Sequence, residues 1–419
     1  MVRSIHSRGK CSKQHGMLHH ALRFGLLFAS MGILACSGST GAKPTELSAN
    51  PTVVSAKPTV VYASSGKLLR VYALDAARGE LTLTQTLPEL ENDVHYVAVH
   101  PSRKYLYVSC SEVPPPENRP LVNAIHAFAI DGHDGTLTSL GKTYASPLSR
   151  AVHVSVDGTG HYLLLAHNFT ESASVLRLNE DGSLGDLVPQ PEERQHLGFL
   201  AHQIRVDPSN HWAFVPVRGN DTNLGHMAIF NFHDGVLQKR TVLDYPLGVG
   251  PRHVDFHPTK PWVYLAMELG NRLTTYEFHD GVLTPRFDTT TLTHPETATK
   301  AQGASAIHVH PNGQWVYVSN RNISPNDPGE NSVAVFAIDA ATGEPKLVQS
   351  IDSHGVSPRT MALDPSGRVL IVANQTKGPN GLEPNLSVFK IGPDGKLTYV
   401  RTYAQSGGQA WWVGAVTLP

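Results

Sequence analysis

Long apolar runs are scarce in this sequence. The stretch Phe24 to Ala35 stays apolar for 12 residues, well short of the roughly 20 that a membrane-spanning helix needs. An excess of one charge is also lacking: 34 basic and 35 acidic residues leave a net charge of −1, which provides no electrostatic footprint for nucleic acid. Cysteine is nearly absent, with three in 419 residues. Cys11 and Cys36 belong to the N-terminal segment, so the rest of the chain keeps Cys110 alone and cannot form an internal disulfide. A thiol nucleophile is disfavoured too, because Cys110 has no diagnostic partner and occupies a repeat position held elsewhere by His167, Val217, Met267, Asn320 and Asn374. No long stretch shows the 3.6-residue period of an amphipathic helix. Turn formers are plentiful, with 36 glycines and 30 prolines between segments rich in aromatic and β-branched residues, a composition that suits many short strands.

Those strands recur as one phrase. An apolar strand, a Pro- or Gly-marked turn and a second apolar strand ending on a polar residue appear six times, beginning at Val94, Arg150, His202, Arg252, Ser305 and Arg359. The turns fall at His100, Asp157, Asp207, His257, His310 and Asp364, spaced 50 to 57 residues apart, a period that suits propeller blades. Each phrase is followed by an outer hairpin with a Gly-containing turn, such as Asp280-Gly281 or Asp394-Gly395; glycine there accepts positive φ without steric cost. A seventh hairpin from Val71 has only one strand before it, Thr59 to Ser65, and the last segment, Gln409 to Leu418, supplies the missing one. The expected fold is therefore an all-β, seven-bladed β-propeller of four-stranded blades over residues 57–419, closed by pairing its two ends so that no sheet edge is left open. A closed ring makes no demand for a second subunit, so a monomer is expected.

The N-terminus reads as an export signal. Basic residues, the short apolar stretch and Ile33-Leu34-Ala35-Cys36 resemble a bacterial lipoprotein signal over residues 1–35, with Cys36 the lipidated first residue. Residues 36–56, rich in Ser, Thr, Ala and Pro, then form a tether. The expected location is the periplasm or cell envelope, with membrane contact only through the lipid; soluble secretion is the alternative.

The repeat also marks a surface. The position five before each turn holds His95, Val152, His202, Arg252, Ser305 and Arg359, and the position eleven after it holds Ser111, Asn168, Arg218, Glu268, Arg321 and Gln375. One begins the inner strand of a blade and the other ends its antiparallel neighbour, so both should reach the same rim. Between them the positions three and one before the turn are apolar in every copy, which predicts a greasy channel wall under a polar mouth. His202, Arg218, Arg252, Glu268, Arg321 and Arg359 crowd that mouth. Guanidinium groups bind carboxylate or phosphate through paired hydrogen bonds, so the site should seek anions. Trp411, aligned to the same rim, offers an apolar wall for a ring-shaped ligand.

Gly250-Pro251-Arg252-His253 with Phe256-His257-Pro258, Met267-Glu268-Leu269, the His202 segment, Ser319-Asn320-Arg321 and the closing Gly408-Gln409-Ala410-Trp411 resemble the seven-bladed lactonase family. That family includes bacterial 6-phosphogluconolactonases and fungal carboxymuconate lactonizing enzymes. The resemblance covers nearly all of the chain after residue 57 and implies a catalytic set of His202, Arg252, Glu268 and Arg321. Met267 departs from it, since relatives often have Asn before the Glu. The rim argument adds His95, Arg218, Arg359, Gln375 and Trp411 as substrate-binding residues.

Such a set suits opening of a cyclic ester. Arg252 and Arg321 would stabilise the oxyanion formed when water attacks the carbonyl. His202 is the favoured base, because a carboxylate among arginines is a weak one, and Glu268 would orient Arg252. The same groups run backwards would close a carboxylated acid into a lactone, and a propeller that binds a ligand or protein without catalysis is a further alternative. No metal or other cofactor is expected, since one glutamate among several arginines would repel a dication. The partner expected is a small anionic lactone.

Overall fold

A computed structural model of the chain describes residues 57–112, 123–145, 149–168, 172–191, 197–324 and 328–419. The signal and tether expected over residues 1–56, with Cys36, lie outside the described residues.

Among the described residues, twenty-eight strands form seven four-stranded antiparallel sheets. In blade 1 the order from the inside outward is Ala410–Thr417, Thr59–Ser65, Leu68–Asp75 and Glu80–Thr86, so the last strand of the chain is the innermost of the first blade. Blades 2 to 7 follow in chain order, with inner strands Asp93–Val99, Ala151–Val156, Arg205–Val206, Pro251–Phe256, Gln302–Val309 and Val356–Leu363. The expected architecture and the closure by Gln409 to Leu418 are both present.

Burial falls off from the axis outward. Inner strand Pro251–Phe256 and its neighbour Trp262–Met267 are buried at every residue, whereas outermost strand Val282–Thr290 is mostly exposed. The second strands, such as Tyr162–His167, Trp212–Val217 and Trp262–Met267, are packed on both faces, which is why they read as nearly unbroken apolar runs, whereas the inner strands give one face to the channel. The core is split accordingly into seven clusters, one in each seam between neighbouring blades.

Polar latches span these seams. Tyr62, Tyr107, Tyr264 and Tyr317 are almost wholly buried, and each donates its hydroxyl to a hairpin glycine carbonyl of the next blade, at 2.9 to 3.1 Å. The last of these acceptors is Gly395, where φ is +72° and a Cβ would lie 2.1 Å from the Trp315 ring, so backbone and packing both require glycine. At the inner turns, Nε2 of His100, His257 and His310 bonds the carbonyls of Gly160, Gly313 and Gly367 one blade on. Their Nδ1 atoms accept nearby backbone N–H groups, which fixes the tautomer. Asp157, Asp207 and Asp364 instead cap their own turns, accepting the backbone N–H of Tyr162, Trp212 and Val369.

Blade 4 differs from the expected pattern. Its inner strand is reduced to Arg205–Val206 because Leu200 takes φ +65° and only an isolated bridge, Ala201 to Val217, precedes it. Gln203 leaves the ladder and its Oε1 accepts Val254 N–H of blade 5 at 2.7 Å.

Candidate active site

The rim is made by β-bulges. In blade 5 Pro251 pairs with Met267 and His253 with Ala266, so Arg252 is the extra residue. His95, Val152, Arg359 and Trp411 are skipped in the same way in blades 2, 3, 7 and 1, and Ser305 lies in the irregular step of blade 6. Strict alternation would send position −5 between the blades with the buried residues at −3. A bulge bends the strand and re-aims one side chain. His202 gets the same freedom from the broken strand of blade 4.

Arg252, Glu268, Arg321 and Arg218 come together. Glu268 follows the second strand of blade 5, its N–H bound to Gly250 O at 2.6 Å, and is 4 % exposed. The tight turn at Gly250 has φ +66°, and a Cβ there would come within 2.6 Å of Leu269. Arg218 Nη1 and Arg321 Nη2 donate to Glu268 Oε1 at 2.9 Å each, and Arg252 Nε stands 2.9 Å from Oε2. Burial alone would raise the Glu268 carboxyl, but Arg321, Arg218 and Arg252 outweigh it and hold it down at about 2. Arg252, 1 % exposed, is pushed down to about 9 by burial and by Arg321, with Glu268 opposing. The carboxylate stays ionised, with Oε1 accepting from two guanidinium groups and Oε2 held in an ion pair with Arg252 but without a hydrogen-bond partner among the described residues, so it anchors arginines better than it accepts protons.

His202 lies beside this cluster, 8 % exposed, its Nδ1 without a hydrogen-bond partner among the described residues. Its ring centroid is 5.2 Å from that of His253, and Arg252 Nη1 lies 3.3 and 3.4 Å from the two nitrogens of His253. His153 stands 5.9 Å from His253 and 4.1 Å from Tyr96. Burial first, then Arg252, His253, Arg359 and Arg218, lowers the His202 pKa well below 6.5, so the ring is neutral. Beneath this layer the channel opens toward the inner turns as a cavity of about 790 Å³ lined in part by Tyr96, Gln203, Arg205, His253, Asp255 and His308. The greasy wall expected from positions −3 and −1 is present only in part: the −1 residues, from Val99 to Leu363, do line the cavity, but polar side chains share it. Residues at −3 are buried in the seams, and those at −4 and −2 give the channel Gln203, His253, Asp255 and the Arg205–Asp255 ion pair at 2.6 Å.

A second group lies at blades 7, 1 and 2. The guanidinium carbon of Arg359 is 5.0 Å from the centre of the Trp411 ring, His95 meets the same ring edge-on at 4.6 Å, and Trp411 Nε1 donates to Asp93 Oδ2 at 3.4 Å. Burial first, then Arg321, Arg252 and Arg150, depresses Arg359. Gln375 is tied to Gln409, Nε2 to Oε1 at 2.9 Å, and so serves the closing segment. Arg150, which precedes the inner strand of blade 3, escapes the sequence reading because the repeat alignment selects Val152; it lies near enough to depress His95 as well. His153 and His253 escape it as inner-strand residues, one position beyond the bulge.

Among the described residues, one group of side chains is close enough to hold an ion: Asp131, His133 and Asp134, all exposed in the outer turn of blade 2. Oδ1 of Asp131 and of Asp134 already accept backbone N–H groups of that turn.

The family model described as "Lactonase, 7-bladed beta-propeller" matches residues 55–413. The 6-phosphogluconolactonase of Bacillus subtilis (strain 168) is 29 % identical over 78 % of this chain and 88 % of its own. That of Cronobacter sakazakii is 29 % identical over 80 % and 92 %. Among solved structures, the Pseudomonas aeruginosa periplasmic gluconolactonase PpgL superposes with a TM-score of 0.71 at 22 % identity, covering 86 % of this chain and all of that one, a likeness of fold.

Proposed function

The chain belongs to the lactonase family of seven-bladed β-propellers, and from that premise we propose that it hydrolyses an anionic lactone without a metal ion. One observation carries the reading: a single carboxylate, Glu268, gathers Arg218, Arg252 and Arg321 within 2.9 Å next to the unpartnered nitrogen of His202. In this reading Glu268 aims Arg252 and Arg321 at the lactone carbonyl. Water adds to that carbonyl, the two guanidinium groups stabilise the oxyanion, and His202 takes the proton from water and returns it to the ring oxygen as the ester bond breaks.

A neutral histidine surrounded by cations is a poor base, and the substrate's charge addresses this. Arg252, Arg359 and Arg218 all contribute to lowering His202, so a bound anion that screens them raises its basicity. Substrate binding thus switches on its own base. The cationic surroundings also argue against a resident divalent ion. The test is acid release from a panel of sugar, phosphosugar and muconate-type lactones, with and without chelator, for wild type, Arg252→Ala and Glu268→Ala. Turnover that disappears in both variants and is insensitive to chelator is expected. Equal activity in all three proteins would reject the site, and lactone formation from the open acid as the favoured direction would assign the reverse reaction.

For location, the proposal rests on the sequence alone: residues 1–35 direct export and Cys36 carries the lipid. Cys36→Ser should move the protein from the membrane to the soluble fraction on cell fractionation. An exported enzyme meets sugar-acid or aromatic-derived lactones, not a cytosolic sugar phosphate pool.

A further inference from the structure

The rim residues do not form one uniform ring. His202, Arg218, Arg252, Glu268 and Arg321 come from blades 4, 5 and 6, while Arg359, Trp411 and His95 come from blades 7, 1 and 2. The two arcs differ in charge balance. In the first, three guanidinium groups share the Glu268 carboxylate. In the second, Arg359 pairs with no carboxylate of the described residues, and its guanidinium carbon lies over an indole that is itself pinned by His95 at its edge and by Asp93 at Nε1. A cation held over an aromatic face is positioned without using its N–H groups, which stay available to a ligand. Holding the fork in place before a ligand arrives reduces the ordering cost of binding.

We propose that the mouth is divided, with Arg359 on its Trp411 platform as the subsite for the substrate's fixed anionic group, a phosphate or a carboxylate, and the Arg252–Arg321–His202 arc as the place where the lactone carbonyl reacts. Arg150, half-buried at the start of blade 3, adds positive potential to the anion arc. The second half of this assignment rests on the hydrolase reading above; the first stands independently. Arg359 is then the residue that decides which lactones are used, because it grips a group that does not change during the reaction and therefore acts in binding.

The experiment compares a neutral gluconolactone, its 6-phosphate and its 6-carboxylate counterpart on wild type, Arg359→Gln and Arg359→Lys. Removing the charge-assisted, two-pronged grip of Arg359 should reduce the preference for the anionic lactones by about 10- to 100-fold, with the larger part in KM, since Arg359 reaches the proposed base only through its field. Arg359→Lys, which keeps the charge but not the fork, should recover part of it. The two anionic lactones tell whether the subsite favours phosphate or carboxylate. Separately, inorganic phosphate or succinate should raise the melting temperature of wild type more than that of Arg359→Gln, a readout needing no turnover. Arg359-dependent stabilisation in a protein that turns over no lactone would keep the subsite and reject the hydrolase. Parallel losses on neutral and anionic lactones, or equal stabilisation of both proteins by both anions, would overturn the proposal.

Discussion

The two ends of the same inner strands treat their polar groups in opposite ways. At the turn end, His100, His257 and His310 use both ring nitrogens, one within the turn and one on the next blade. Asp157, Asp207 and Asp364 are likewise bonded within their turns. At the rim, His202 keeps an unpartnered nitrogen, Arg218, Arg252 and Arg321 share one glutamate, and Arg150 and Arg359 add further positive charge. Buried polar groups left unsatisfied cost stability. A protein that satisfies histidine at one end and leaves it unpartnered at the other, less than a strand's length away, has a use for the deficit. The same residue type thus holds the ring together in one place and, on the proposed reading, meets substrate in the other.

The largest effect should come from removing the carboxylate that the rim's guanidinium groups share. Glu268→Gln leaves two buried cations, Arg252 and Arg321, facing a third that is partly exposed, Arg218, so it should cost about 3–5 kcal/mol of stability and lower kcat/KM for the preferred lactone by roughly a thousandfold. Urea unfolding and initial rates measure the two. A rim that tolerates this change would erase the contrast between the ends.

Next comes the pH dependence expected if His202 is the base, as proposed. The pKa of His202 is lowered, so its neutral form persists as pH falls through 6.5, and kcat/KM should decline only at more acidic pH. His202→Asn should lower the rate by about 10²- to 10⁴-fold and remove that acid limb. Stability follows the same signs. His153, His202 and His253 refuse protons that the unfolded chain accepts, so stability drops as pH falls below 6.5. Glu268, held at about 2 against an ordinary 4.5, adds stability that is complete above 4.5 and disappears between 4.5 and 2. Thermal melts from pH 7 to 3 should show both phases, with the lower one missing in Glu268→Gln.

The smallest effect belongs to the turn end. His257→Ala breaks the bond to Gly313 and should cost about 1–2 kcal/mol, with kcat/KM on the preferred lactone within about twofold of wild type. A larger catalytic loss would mean the two ends are coupled through the channel.

Much of this is legible in the sequence because it repeats. Turn residues recur at fixed offsets, and the single strand before the Val71 hairpin, with an unassigned strand at Gln409, is enough to specify closure. Position eleven after the turn, a strand end, lies at the rim as read. Position five before it lies there for a reason the sequence does not express. Period-two alternation puts Arg252 on the face of Val254, which is buried, and only the bulge between Pro251 and His253 brings it to the mouth. Arg150 escapes because its offset differs by two from that of its counterparts. The polar channel wall escapes because its residues, Gln203, His253, Asp255 and His308, share no chemistry from blade to blade, and a repeat reveals only what recurs.

The strand from Ala410 to Thr417 follows all the other strands in sequence, yet it is the innermost of the first blade and carries Trp411. It pairs with Thr59–Ser65, more than 340 residues away in the chain. The indole beneath Arg359 is therefore set in place by the same pairing that joins the two ends of the propeller, so a change that loosens the seam should also loosen Arg359.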